Sequence, residues 1–222
     1  SPGSMFEVLQ VGGDPNFILR TNTLCTGVTH SSGRVTGVNV LDLDTGEAHP
    51  VGGGVVVLAA DALRTPQLLW NSAIRHSAIG KYLNEHTNLS AFTLLDAGKL
   101  GLSPRDFVAI DEEEPYFAAL WIPSRGADQP VHGQLMGRVM EDGRYRLTLT
   151  CYLQSDIDPS NRIEFSDRDV DAFGMPLATA HFAYSASALA AVEQARESQA
   201  LVGHALGEFD PANAVFMAPG NS

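Results

Sequence analysis

Alternation of apolar and polar residues predicts β structure in the first quarter of the chain. Residues 17–28 are rich in apolar and β-branched side chains, and residues 34–43 alternate with a period of two, which places their valines and leucines on one face. The Asp-Thr-Gly-Glu sequence at residues 44–47 is a predicted hairpin turn. We therefore expect three strands joined by turns, the third of which includes residues 49–51.

The run at residues 55–60 has a different pattern, because it is apolar at every position. Such a run is typical of a strand that is buried on both faces of a parallel sheet. A helix is predicted directly after it, with Thr65 as the N-cap and Pro66 at the first helical position. Leu68 and Leu69 would pack this helix onto the sheet, so this segment indicates an α/β unit.

The second half of the chain predicts further strands and one long helix. The helix begins at Ser185 or Ser187 and ends near Leu206, with apolar residues at helical spacing. Its expected core-facing residues are Leu189, Val192, Ala195, Val202 and Leu206. The expected strands cover residues 117–122, 144–153, 161–167 and 181–184.

Composition excludes several classes of protein. Fourteen lysines and arginines against 26 aspartates and glutamates give a net charge of −12, which argues against nucleic-acid binding and against a polybasic membrane anchor. No run reaches the ~18 apolar residues that span a bilayer. Cys25 and Cys151 are the two cysteines, and neither lies in a CxxC motif, so we expect two reduced thiols in a cytoplasmic protein.

Several short strings stand in a fixed order along the chain. VVLAADALRTPQLL at residues 56–69 covers the predicted strand, turn and helix, and GKYLNEH follows at residues 80–86. The later strings are PVHGQ at 130–134, NRIEFSD at 161–167, DAFGMP at 171–176, HFAY at 181–184 and APGNS at 218–222. The first two strings resemble the glucose–methanol–choline (GMC) oxidoreductases, and the later ones resemble the pyranose oxidase and C-glycoside oxidase branch of that superfamily.

The resemblance implies an α/β to α+β fold with two parts. Residues 1–88 would form part of an FAD-binding Rossmann-like domain, and residues 89–222 a large part of an antiparallel-sheet substrate-binding domain with helices. The implied cofactor is FAD, and the implied substrate is a sugar or glycoside whose secondary ring hydroxyl becomes a ketone while hydride passes to the flavin. The family's catalytic histidine would follow Ser222, so the resemblance assigns no catalytic residue here, and we expect the chain alone to be inactive.

Four residues are carried over as candidate site residues. Cys25 would lie where backbone groups meet the adenine, although it also fits as a small buried apolar residue. Ala59 and Ala60 would lie where the sheet edge approaches the diphosphate or ribose, or they would simply pack under a helix. Gln134 matches a polar residue that contacts the sugar in pyranose oxidases, and its amide can both donate and accept; the alternative is a surface strand residue.

Some positions depart from the family pattern. Asp61 stands where the family turn usually has glycine, and a carboxylate would repel a flavin diphosphate. Arg138 stands where pyranose oxidases tend to carry an acidic residue. The chain contains no GxGxxG fingerprint and no HExxH zinc motif, so we predict no metal site. His86 and His132 lie beside the motifs, and we expect structural roles for them rather than roles as a base.

Two hypotheses remain open at this stage. The chain is part of a flavin-dependent sugar or glycoside oxidase, or it is a non-catalytic carbohydrate-binding or assembly module derived from one. A strand of the buried type at residues 55–60 would be exposed at a sheet edge. We therefore expect the chain to form a homo-oligomer or to pair with missing segments of the same enzyme.

Overall fold

A computed structural model describes residues 14–107, 116–126 and 131–217. The APGNS string at residues 218–222 and Pro130 of the PVHGQ string lie outside the described residues. The chain divides into two compact units: the first comprises residues 1–80 and 163–179, and the second comprises residues 81–162 and 180–222. The functional boundary between residues 88 and 89 stays a prediction.

The first unit contains a three-stranded antiparallel sheet, as the alternation predicted. The strands are β1 (Thr23–Ser31), β2 (Arg34–Asp42) and β3 (Ala48–Gly52), in that order. The turn before β3 forms because the Asp42 carboxylate accepts hydrogen bonds from the backbone N–H groups of Asp44 and Thr45. These bonds lower the pKa of Asp42, with the bond from Thr45 contributing most.

The predicted buried strand at residues 55–60 is wrong. This segment is not a strand, and the Val55 and Val57 side chains are 85% and 83% exposed. A strand needs a neighbour that completes its backbone hydrogen bonds, and no segment of the described chain pairs with residues 55–60. The apolar run therefore has no partner strand among the described residues.

Helix α1 (Asp61–Asn71) begins one turn earlier than predicted. Asp61 caps it, because its carboxylate accepts hydrogen bonds from the backbone N–H groups of Leu63 at 2.6 Å and Arg64 at 2.9 Å. Thr65 is not the N-cap, and Pro66 lies inside the helix. Leu68 is buried, as expected from the amphipathic pattern.

The strand predicted at residues 161–167 is found as β8 (Arg162–Val170), which pairs with β9 (Pro176–His181). The strand predicted at residues 181–184 is wrong except for His181. The Asn161 side chain explains the difference, because it donates to the carbonyl of Ala183 and accepts from its N–H group. The Asn161 side chain therefore makes the hydrogen bonds to Ala183 that a neighbouring strand would otherwise make.

A six-stranded antiparallel sheet forms the second unit. Its strands are β4 (Thr87–Leu95), β5 (Tyr116–Ile122), β6 (His132–Val139), β7 (Tyr145–Leu153), β10 (Gly207–Phe209) and β11 (Val215–Met217). The spatial order is β10-β4-β7-β6-β5, and β11 also pairs with β4. The sequence pattern predicted β5 and β7 but contained no clear signal for β4 and β6.

Helix α2 (Ala186–Leu206) covers one face of this sheet, and Ser185 caps it by accepting from the Ala188 N–H group. The predicted stripe is wrong in part, since Leu189 and Val202 are 45% and 43% exposed. Small and polar residues replace them at the contact because the helix lies close to the strands. The buried helix residues are Ala188, Val192, Ala195, Gln199 and Gly203.

Gln199 ties helix α2 to the sheet. Its side-chain N–H₂ group donates to the carbonyl oxygens of Leu89 at 2.8 Å and Leu149 at 3.0 Å. Gly203 lies so close to the Phe209 ring that a Cβ atom would be 2.2 Å from it. Among the helices that the structure describes, none combines the length and apolar character required to cross a membrane.

Candidate functional site

The predicted flavin-contacting residues all lie in the first unit. Cys25 is half-buried in β1, next to a bulge between Cys25 and Gly27, and its thiol points toward the Gly27 carbonyl at 3.8 Å. Ala59 is exposed and Ala60 is half-buried, with the Ala60 N–H group donating to the Thr65 hydroxyl at 3.1 Å. Within residues 14–107, no hydrogen bond joins Cys25 to either alanine.

Asp61 adopts a left-handed backbone conformation. Its φ is 61°, in the left-handed region that glycine occupies most readily. The backbone N–H groups of Arg64 and then Leu63 lower the pKa of its carboxyl group. The start of helix α1 therefore already holds a negative charge, at a helix end whose dipole favours anions.

A polar cluster fixes helix α1 to the hairpin of β8 and β9 inside the first unit. The Arg64 guanidinium lies 2.6 Å from the Asp171 carboxylate, and Gln67, which is 2% exposed, donates to the Pro176 carbonyl at 2.7 Å. Burial alone would raise the pKa of Asp171. Hydrogen bonds from Arg64, from the Phe173 and Met175 N–H groups, and from Gln67 outweigh it and lower the pKa to about 2.

Gln134 lies in the second unit, on the sheet face opposite helix α2. Residues that pair directly across antiparallel strands share a face. Gln134 pairs with Trp121 of β5 and with Thr150 of β7. Leu89, which packs against Val192 and Ala195 of helix α2, pairs instead with Cys151, the neighbour of Thr150 that points to the other face. The face that carries Gln134 is therefore not the one that helix α2 covers.

The Tyr152 hydroxyl donates a hydrogen bond to the Gln134 side-chain oxygen at 3.2 Å. In the part of the chain that the structure describes, no hydrogen bond is found for the Gln134 N–H₂ group. The amide of Gln134 is thus held through its acceptor, while its two donors remain available.

Four rings contact one another in this part of the second unit, and we call them the aromatic patch: His86, Trp121, His132 and Tyr152. The His132 ring centre lies 4.8 Å from that of Trp121 and 5.1 Å from that of Tyr152, with interplanar angles of 34° in both pairs. Trp121 and Tyr152 are 5.9 Å apart, and His86 meets Tyr152 edge-on at 5.2 Å. The Trp121 side chain is 59% exposed, so the patch presents a free aromatic surface.

Polar groups continue along the same face. Ser90 and Thr150 share a hydrogen bond of 3.0 Å between their hydroxyls. Asn88 pairs with Tyr152, and its side-chain oxygen is buried without a donor among the described residues. Leaving a buried acceptor unpaired costs free energy, so this face has a hydrogen-bonding capacity that the described residues do not use.

Arg138 also lies on β6, four residues after Gln134. It is exposed, and its guanidinium lies over the Tyr116 ring, 5.9 Å from the centre. Sequence reasoning found Gln134 but missed Tyr152, Trp121 and Asn88, because only the strand register brings them together. No group of three or more metal-ligand side chains occurs in residues 14–107, 116–126 and 131–217.

Residues 9–88 match the family model of the GMC oxidoreductases. The chain is a relative of the GMC oxidoreductases. The resemblance read from the sequence strings is therefore confirmed. GMC oxidoreductases are FAD-dependent enzymes that act on CH–OH groups. The mixed α/β architecture of this chain, with mainly antiparallel sheets, confirms the predicted fold class.

Three curated relatives of the chain carry the names of the branch that the sequence strings resemble. The chain is 34% identical over 214 residues to C-glycoside 3-oxidase of Microbacterium trichothecenolyticum, covering 88% of this chain and 40% of that protein. It is 30% identical to C-glycoside 3-oxidase of Arthrobacter globiformis, covering 88% and 39%. It is 27% identical to pyranose 2-oxidase of Tricholoma matsutake, covering 93% and 43%. The chain thus spans about two fifths of the length of these relatives.

A solved structure, the glycerol-3-phosphate dehydrogenase of Bacillus halodurans complexed with FAD, also matches. It is 17% identical, with 60% of this chain and 22% of that chain covered and a TM-score of 0.28. A TM-score this low supports no inference about the site.

Proposed function

We propose that the chain is part of an FAD-dependent oxidase that converts a secondary ring hydroxyl of a sugar or glycoside into a ketone. The observation that carries this proposal is the 34% identity to a C-glycoside 3-oxidase along 88% of the chain. The arrangement of the second unit supports it, because Gln134 and the aromatic patch lie on one accessible sheet face. Binding sites for small molecules commonly combine apolar or aromatic walls with a few placed polar groups.

In this proposal the first unit contacts FAD through the backbone near Cys25 and through the small residues Ala59 and Ala60. The exposure of Ala59 and the half-buried position of Ala60 leave room for a ligand to approach. Bound flavin would accept the hydride from the substrate carbon. The residues of this chain would hold the cofactor and the sugar, and none of them is assigned as the base.

Absorption spectroscopy and calorimetry test the proposal on the purified chain. We expect FAD to bind and to show a shifted flavin spectrum, a glycoside to bind, and the flavin to stay oxidised when both are present without oxygen. A colourless protein that takes up no added FAD would contradict the cofactor assignment. Flavin reduction by the glycoside would contradict the expectation that the chain alone is inactive.

A non-catalytic carbohydrate-binding or assembly module is the second candidate. The position of Asp61 favours it, because its charge occupies the helix start where the family has glycine. The same calorimetry separates the two functions. Binding of a glycoside without any uptake of FAD supports a binding module, and uptake of both supports the oxidase.

We also propose that the segment at residues 55–60 pairs with a second copy of the chain or with a further segment of the same enzyme. Its support is the exposed apolar surface of Val55 and Val57 in a segment that pairs with no described strand. Light scattering tests this proposal: we expect a dimer that V57K converts to monomer, whereas a monodisperse wild-type monomer contradicts self-association.

The free Cys25 and Cys151 thiols support a reducing, cytoplasmic location.

A further inference from the structure

We propose that the aromatic patch is a stacking platform for the C–H face of a pyranose, and that Tyr152 positions the Gln134 amide so that its N–H₂ group reads one sugar hydroxyl. This inference rests on the proposed sugar substrate and assigns the groups that would select it. The sequence predicts neither the stacking platform nor the positioning role of Tyr152.

The geometry of the patch fits a flat ligand with an apolar face. Trp121, His132 and Tyr152 form a continuous aromatic surface, since neighbouring ring centres are 4.8 and 5.1 Å apart at 34° tilts. A pyranose ring presents axial C–H groups on a face and hydroxyls around its rim. The 59% exposure of Trp121 leaves this surface open to such a face.

The orientation of the Gln134 side-chain amide is fixed by Tyr152. A free glutamine amide could turn either its oxygen or its N–H₂ group toward a ligand. The Tyr152 hydroxyl donates to the oxygen at 3.2 Å, so rotation of the amide would break that hydrogen bond. The N–H₂ group therefore faces the ligand, and it requires an acceptor such as a hydroxyl oxygen at the rim of the stacked ring.

Tyr152 has two separable roles in this arrangement. Its ring belongs to the platform, while its hydroxyl acts only through Gln134. Tyr152→Phe removes the second role and keeps the first, so it is a conservative variant of the positioning residue. Tyr145→Phe is the matched control, because Tyr145 lies on the same strand and stacks on Phe107, with ring centres 3.8 Å apart.

The fluorescence of Trp121 reports directly on the platform. The chain has two tryptophans, and the other, Trp70, lies in the first unit beside Arg75. In a Trp70→Phe background, all tryptophan emission comes from Trp121. Methyl β-D-glucopyranoside should change that emission in a saturable way, whereas sorbitol, a polyol without a ring face, should leave it unchanged.

A double-mutant cycle in this background tests the positioning role. We expect Tyr152→Phe and Gln134→Ala each to weaken glucoside binding about fivefold, from the loss of one hydrogen bond, with Tyr145→Phe unchanged. The double variant should also bind about fivefold more weakly, because the hydroxyl acts through the amide. Losses that multiply to about 25-fold would show independent roles and overturn the positioning of Gln134 by Tyr152.

The outcomes distinguish this inference from the proposed function. Glucoside binding by calorimetry without any response of Trp121 overturns the platform and leaves the sugar substrate in place. Equal responses to sorbitol and glucoside overturn ring-face stacking. Absence of both heat and fluorescence change, with unaltered thermal unfolding of each variant, removes the sugar substrate itself and the inference with it.

Discussion

Residues 55–60 and strand β7 are both predicted to be strands from their apolar residues, but only β7 is one. In β7, Leu147 and Leu149 are 5% and 8% exposed, and both edges of the strand pair with neighbours. Val55 and Val57 in the first unit are more than 80% exposed and unpaired. Apolar side chains are therefore insufficient for a strand: hydrogen-bonding neighbours and a covering layer must also be supplied.

Two substitutions that shorten an apolar side chain would test this contrast most strongly. Leu89 is fully buried between the sheet and helix α2, so Leu89→Ala should lower the free energy of unfolding by about 3 kcal/mol. Val57→Ala, which removes atoms that are already in water, should change it by less than about 0.5 kcal/mol. Urea denaturation followed by circular dichroism measures both.

Equal destabilisation by the two variants would contradict the comparison, since it would mean that residues 55–60 are packed in solution. In the Trp70→Phe background, the Trp121 emission provides a readout for the second unit alone. Leu89→Ala should shift that transition to lower urea, and Val57→Ala should not.

A smaller effect is expected from pH on the first unit. The folded pKa of Asp171 is about 2, against 3.8 for an unperturbed aspartate. Its stabilisation is fully present above about pH 4 and is lost as the pH falls from about 4 to about 2. Asp171→Asn should therefore flatten the loss of stability across that window, as measured by thermal unfolding at successive pH values.

Arg64→Gln is the partner test for this pair. Removing the guanidinium should raise the folded pKa of Asp171 toward its ordinary value, which flattens the same window while leaving the carboxylate in place. An acid profile that neither variant alters would show that the ion pair contributes nothing to pH-dependent stability.

Local signals predicted well wherever neighbours in the chain complete the structure. The meander of β1, β2 and β3 follows from alternation and turn residues, and helix α2 follows from Ser185 and helical spacing. The stripe of helix α2 was harder to predict because Gln199 and Gly203 face the sheet. A polar side chain can satisfy strand carbonyls and a glycine permits close approach, but neither counts as apolar in a periodic pattern.

The candidate site shows the same limit. Gln134 was found by its place in a sequence string, and nothing in that string indicates the aromatic patch. Trp121 and Tyr152 are 13 residues before and 18 residues after Gln134, and they meet it only through the register of β5, β6 and β7. Register depends on pairing across the whole sheet, so it could not be derived from any one segment.

Substitutions of Asp61 have the smallest expected effect on stability. They also give the sharpest test of whether the first unit binds FAD. Asp61→Asn keeps a capping side chain and a residue type that tolerates positive φ, so stability should change by less than about 0.5 kcal/mol. Asp61→Gly loses the cap but relieves the backbone, with a similar small change. Thermal unfolding should place both variants close to the wild type.

Affinity for FAD should nevertheless differ among these variants of nearly equal stability. If the start of helix α1 faces the diphosphate, removal of the Asp61 charge strengthens FAD binding severalfold in both variants, because helix N-termini favour anions. Asp61→Glu keeps the charge and should show no gain. Titration of flavin fluorescence measures these affinities. Equal affinities for wild type, Asp61→Asn and Asp61→Gly would place the diphosphate away from this turn, and the small residues at 59 and 60 would then have only a packing role.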